Sequence, residues 1–214
     1  MSDCVFPLAF PDYRIAVPRP SIDIDLPDLL PFDEVIEDAL DDTTFKMPQL
    51  GHAGVLFIAD RGSKGLTKYY EYGRYRSNLG EARRKPVPDC TFKNGKPEKG
   101  SLLNVLSVIS KVAGQRGSIS GAFIETPGKF EDMLKYSMER VRQNNSPVRQ
   151  KYDLITYSCN TFVKSVLDAA DVKYEQSLIP ILDVRPISFI NTIQETHTDI
   201  EYKSGKLQVE DNLI

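Results

Sequence analysis

GHAGVLFIAD (residues 51–60), RGSKG (61–65) and LTKYYEYGRY (66–75) run in succession, and their reading decides the fold. Val55 to Ala59 is an unbroken apolar run of strand length, RGSKG supplies two glycines and turn-forming polar groups, and the Tyr- and Thr-rich segment returns. This pattern predicts an antiparallel β-hairpin. Further along, SLLNVLSVISKVAG (101–114) has apolar residues around much of its circumference and predicts a largely buried helix capped by Ser101. SISGAFIET (118–126) predicts a strand. PGKFEDMLKYSMERVRQ (127–143) predicts a helix opened by Pro127, with Phe130, Met133, Leu134, Met138 and Val141 on one stripe. A short extended approach over Asp153–Tyr157 leads to a helix from Cys159, set by the spacing of Phe162, Val163, Val166, Leu167 and Ala170. One more short helix is expected from Pro186. Strands and helices mixed in this way predict an α+β fold, an antiparallel sheet with packed helices.

The two ends read differently. Six prolines within residues 1–31 preclude a long helix there and predict an extended, proline-rich acidic arm over 1–44. Within it, Ile22 to Leu26 alternates like an edge strand, and Asp33 to Leu40 reads as a short acidic helix. Residues 77–100 carry little apolar pattern and read as a long surface loop. The core domain is expected over 45–195, with a polar C-terminal tail over 196–214.

Composition narrows the function classes. With 214 residues, 41% hydrophobic and 27% charged, the chain suits one folded domain with extensions. No apolar run approaches the ~18 residues of a membrane span. The N-terminus lacks a basic start followed by an uninterrupted apolar stretch, so no secretory signal is expected. Three cysteines without a CxxC and only two histidines argue against a disulfide framework, a zinc ribbon or finger and a His-rich metal site, and no cofactor is expected. The net charge of −3 conceals a split: eleven acids against two bases over residues 1–42, and thirteen Lys/Arg against four acids over 61–116. Either the arm lies across the chain's own basic surface, or that surface meets an anionic polymer or an acidic partner. No nucleic-acid-binding motif accompanies the basic stretch, so nucleic acid is not expected.

Cys159 at a helix start has a physical reason to be reactive, because the exposed N–H groups and the positive end of the helix dipole favour thiolate over thiol. The opposite reading is an inert, packed thiol. His52 opens a buried strand among the small residues Gly51, Ala53 and Gly54, where an imidazole has room to reach across. A Cys at a helix start and a His at a strand start meet the requirements of a thiolate–imidazolium dyad. If the hairpin turn centres near residues 61 and 62, Glu71 falls roughly opposite His52 and can hold the imidazole, or else it is a solvent-facing strand carboxylate. Cys4 with His52, Cys159 with His197, and the loop thiol Cys90 are alternative assignments. An adaptor or binding module with a structural His52 and Cys159 is the competing class, which selective iodoacetamide labelling of Cys159 would disfavour.

The order GHAGVLF, second strand, then YSCNTF opening a helix resembles the circularly permuted branch of the papain-like, NlpC-type cysteine peptidases. There the His hairpin precedes the Cys helix, as it also does in lecithin:retinol acyltransferase relatives. Those relatives commonly carry Asn before the Cys, whereas here Asn160 follows Cys159. By motif over about residues 50–75 and 150–170, and by size elsewhere, the chain looks most like the TseH-like amidase effectors of bacterial type VI secretion. That resemblance implies a hydrolase of peptidoglycan peptides with Cys159 as nucleophile, His52 as base and Glu71 as its orienting group. It also implies a cognate immunity protein, a type VI secretion carrier component, and action in the periplasm of a target cell. Transfer or hydrolysis at a lipid ester or a host protein is the alternative for the same dyad.

Overall fold

The structure, a computed structural model, describes residues 2–18, 44–47, 51–62, 64–75, 79–153, 156–174 and 185–209. In chain order its strands are β1 (Cys4–Phe10), β2 (Ile15–Pro18), β3 (Thr44–Met47), β4 (His52–Asp60), β5 (Gly65–Gly73), β6 (Glu81–Lys85), β7 (Phe92–Lys93), β8 (Lys96–Pro97), β9 (Ile119–Glu125), β10 (Thr198–Lys203) and β11 (Lys206–Val209). Its helices are α1 (Lys99–Val112), α2 (Phe130–Arg142), α3 (Cys159–Ala169) and α4 (Pro186–Gln194). The expected hairpin forms as β4 and β5, paired from Gly54 with Glu71 to Asp60 with Gly65.

This hairpin lies inside a seven-stranded sheet of order β11-β10-β9-β1-β4-β5-β6, antiparallel throughout. Alternate side chains feed two apolar clusters. On one face Val5, Ala9, Val55, Phe57 and Tyr70 pack with residues of α2, α3 and α4. On the other, Phe6, Leu8, Leu56, Ile58 and Tyr69 pack with Leu102, Val105, Leu106 and Ile109 of α1. The α+β class is as expected. The chain order is also as expected, with the strand bearing His52 ahead of the helix opened by Cys159.

Both ends correct the expected boundaries. Cys4–Phe10 is a fully buried inner strand and not part of an arm. Its Pro7 misled the reading, since proline cannot donate to a ladder. The pairing with β9 runs through Cys4, Val5, Leu8 and Ala9 and skips Phe6 and Pro7, which accommodates the missing N–H. At the other end, Thr198–Val209 is a hairpin and not a loose tail; Ile200, Tyr202 and Leu207 are buried amid polar neighbours. The edge strand and acidic helix expected within residues 22–40 lie outside the described residues. The expected loop over 77–100 contains three short strands, β6 to β8.

Local expectations were also refined. Helix α1 starts after Glu98, and Ser101 instead accepts a hydrogen bond from Thr91 N–H at 2.9 Å. It buries one stripe, and Val112 is exposed. Helix α2 starts at Phe130, whose N–H donates to Asp3 Oδ2 at 3.2 Å, so the segment before β1 caps it. Met138 lies outside its buried stripe of Phe130, Met133 and Ser137. The approach to α3 is a tight bridge between Asp153 and Tyr157, with Thr156 donating to Asp153 Oδ1, rather than an extended run.

Gly121 marks where β9 passes closest to β1. A Cβ there would lie 2.6 Å from Leu8 Cδ2 and 2.8 Å from the Pro7 carbonyl oxygen, and that backbone cannot yield. Gly121→Ala is expected to destabilise the protein by about 1–3 kcal/mol. A thermal melt checks this, and an unchanged Tm would show that the two strands separate more easily than their pairing implies.

Candidate active site

Local sequence fixes the start of α3. Ser158 is the N-cap: its hydroxyl accepts from Thr161 N–H at 3.3 Å, and its own N–H donates to Thr161 Oγ1 at 2.8 Å. This reciprocal box holds the first turn rigidly, with Cys159 as its first residue. First-turn N–H groups have no carbonyl partner inside a helix, so they and the helix dipole favour an anion there.

His52 is the first residue of β4 and sits at the same end of the sheet. Its imidazole is hydrogen-bonded to Cys159 and to Glu71, with Nε2 3.4 Å from Glu71 Oε2. With Nε2 turned to the carboxylate, Nδ1 is the ring nitrogen left for the thiol. The observed register puts Glu71 opposite Gly54, two residues from the expected partner. A slip of two keeps the side chain on the same sheet face, so Glu71 still reaches His52 diagonally. The structure therefore brings Cys159, His52 and Glu71 together, all three buried.

Electrostatics favour the charge-separated form. Burial alone would lower the His52 pKa, but hydrogen bonds to Cys159 and Glu71 and their negative charges raise it to about 9. Burial likewise opposes the Cys159 thiolate. The His52 hydrogen bond and charge, with donors from Tyr152 and the Ala53 N–H, outweigh it and hold the thiol below its ordinary value. Glu71 is held below the usual carboxylate range against its own burial by His52, then by the charge of Lys85, whose Nζ is 3.4 Å from Oε1. Cys4 and Cys90 behave oppositely: burial pushes Cys4 well up and Cys90 to about 11, so both thiols stay protonated within the apolar cluster under α1. His197 follows α4, and the groups that act on the Cys159 thiol are His52, Tyr152 and Ala53.

Sequence reading missed the surroundings of the imidazole. Phe10 stacks on it with centroids 5.9 Å apart, Tyr13 lies over it at 4.8 Å, and Tyr75 meets it edge-on at 6.5 Å. The Tyr152 hydroxyl lies 3.8 Å from Cys159 Sγ as a donor, and its ring stacks on Tyr72. Tyr152 is seven residues before the cysteine in a stretch without periodicity, and its ring type was the only available signal. Tyr69 donates to Glu71 Oε2 at 3.4 Å from the same strand face. Among the described residues, no group of three His, Cys, Asp or Glu side chains is placed to hold a metal ion. No helix among them is long and apolar enough to cross a membrane.

Such an arrangement can generate a nucleophilic sulfur at neutral pH, deliver a proton from the imidazolium, and hold that imidazolium in one orientation. A model of the family described as type VI secretion system effector, TseH-like, matches residues 5–175. The fold is also similar to the crystal structure of a type VI secretion system effector, TseH, at 31% identity over 97% of each chain with a TM-score of 0.73. It is thus of the papain-like NlpC type. No curated protein gives a significant match.

Proposed function

This chain belongs to the TseH-like family of type VI secretion system effectors, and on that premise we propose that it is a cysteine amidase that cuts peptide bonds of peptidoglycan in a target cell. The observation that carries this reading is the buried constellation of Cys159 at a helix start, His52 on a strand end and Glu71 behind it. In the proposed cycle the Cys159 thiolate attacks the scissile carbonyl. The Tyr152 hydroxyl, 3.8 Å from Cys159 Sγ, and the first-turn N–H groups of α3 are the donors proposed to stabilise the oxyanion. Imidazolium His52 protonates the leaving amine, and neutral His52 then takes a proton from water to release the acyl group. Glu71 holds the ring and its charge throughout.

Glu71 orients and does not exchange the reacting proton. Glu71→Gln is expected to lower kcat on the order of 100-fold, less than loss of either dyad member. Steady-state kinetics check this, and a rate equal to wild type would remove Glu71 from the site. As a family of secreted effectors implies, a carrier component of the secretion apparatus and a protective immunity protein complete the proposed setting.

Paired expression in a Gram-negative host, with and without an added export signal, tests the function. Lysis confined to the exported wild type, and absent from exported Cys159→Ala, supports a wall amidase. Equal toxicity from the cytoplasm contradicts it and favours an intracellular protein or lipid acyl group as the target.

A further inference from the structure

The loop that joins α1 to β9 has a strained backbone. Gln115 and Arg116 adopt left-handed φ angles of 52° and 66° in succession, a region that residues other than glycine rarely enter. Arg116 N–H donates to the Ser110 carbonyl at 2.7 Å, and the Ser110 hydroxyl donates to the Gly117 carbonyl at 2.7 Å, which holds the loop in this shape. What the loop grips is the turn that follows β1. The Gln115 side-chain amide pairs with both backbone groups of Arg14, 101 residues earlier: Oε1 accepts from the Arg14 N–H at 3.0 Å, and Nε2 donates to the Arg14 carbonyl at 3.1 Å. Asp12 Oδ2 accepts from the Ser118 N–H at 2.7 Å and from the Ser118 hydroxyl at 2.6 Å.

Two glycines let the segments touch. A Cβ on Gly114 would lie 2.8 Å from Phe10 Cδ1, and one on Gly117 would lie 2.7 Å from Asp12 Cβ. Tyr13 is thus clamped between two anchored neighbours. Its ring lies over the His52 imidazole, with centroids 4.8 Å apart and planes inclined by 35°. Phe10, seated by the same loop, stacks on that imidazole at 5.9 Å. A cation within ~6 Å of an aromatic face is attracted by its π electrons, most strongly where water is excluded. His52 is buried, so the condition is met.

We propose that Gln115 is a positioning residue of this site: through the 12–14 turn it fixes Tyr13 on the His52 ring, and the aromatic face stabilises the imidazolium. The proposal rests on the reading of His52 as the proton donor of an amidase and deepens it. Other titratable and charged groups surround the ring. They are Cys159 of α3 with Tyr152 against its sulfur, Glu71 and Tyr69 of β5, Lys85 of β6 behind Glu71, and Tyr75 with the Arg83 guanidinium over its ring. Asp12 is held below the usual carboxylate range by its bonds from Ser118, so that anchor stays charged while His52 titrates.

The test is an NMR titration of the His52 imidazole in the full-length Cys159→Ala protein, where the ring titrates without the thiol. Tyr13→Leu keeps an apolar cover and removes the aromatic face; it should lower the His52 pKa by about half a unit or more, the weight of one such contact. Tyr13→Phe keeps the face and should leave the pKa unchanged. Gln115→Gly suits the left-handed backbone, so the loop keeps its path while the amide is lost. It should lower the pKa as Tyr13→Leu does, and combining the two should lower it no further, because one acts through the other. An unchanged or raised pKa in Tyr13→Leu or in Gln115→Gly, a fall in Tyr13→Phe equal to that in Tyr13→Leu, or additive falls in the double variant would each overturn the proposal. Wall hydrolysis by the unaltered protein, measured separately, decides the amidase reading on its own.

Discussion

Cys159→Ala is expected to abolish hydrolysis, lowering kcat by at least about 10⁴-fold while the protein remains folded. In the proposed cycle the sulfur forms the covalent bond, and no other group at the site would replace it. Its removal leaves a small void at a helix start that is fixed independently by Ser158 and Thr161. The same substitution has a second readout that needs no substrate. Against burial, which lowers the His52 pKa, the Cys159 hydrogen bond is the foremost influence raising it, followed by the Glu71 hydrogen bond and then the Cys159 charge. Without the Cys159 bond and charge the His52 pKa should fall from about 9, which an NMR titration of the imidazole measures. An unchanged value would mean that sulfur and ring are not paired.

His52→Ala should be nearly as damaging. It removes the hydrogen bond and charge that hold the Cys159 pKa down, and with them the group proposed to protonate the leaving amine. Because the two groups serve one step, the double variant should be little worse than either single one. If His197→Ala inactivates and His52→Ala does not, the assignment of the base is wrong. The wild type should lose activity as pH rises through about 9, where the imidazolium loses its proton, and again at low pH, where the thiolate gains one. Linkage runs in the same direction. A histidine whose folded pKa is raised from 6.5 to about 9 adds stability that is fully present below 6.5 and is lost as pH rises through 9.

What could be read from the sequence followed from periodicity. The β4–β5 hairpin, α3 and α4 emerged because each keeps one period over enough residues, and the positions of Cys159 and His52 followed from their elements. Strand β1 was hidden because Pro7 and the prolines that follow the strand outweighed a buried apolar run. Its pairing with β9 tolerates Pro7 by breaking at that point, a long-range accommodation with no local sign. The β10–β11 hairpin was hidden because only Ile200, Tyr202 and Leu207 are buried among polar neighbours. For Glu71, the turn centres one residue further along than expected, which shifts the register by two, and the alternation of a strand preserves its face. The cage of Phe10, Tyr13 and Tyr75 joins segments distant in sequence, so only the assembled sheet reveals it. Tyr152 was missed because it belongs to no periodic element.

Mass analysis of fragments released from purified peptidoglycan tests most directly the proposal that Cys159 cuts peptide bonds of the bacterial wall. The wild type should release peptides carrying one new amine and one new carboxyl terminus, and Cys159→Ala should release none. Fragment release that persists in Cys159→Ala, or intact wall after incubation with wild type whose Cys159 is alkylated far faster than Cys4 and Cys90, would contradict it.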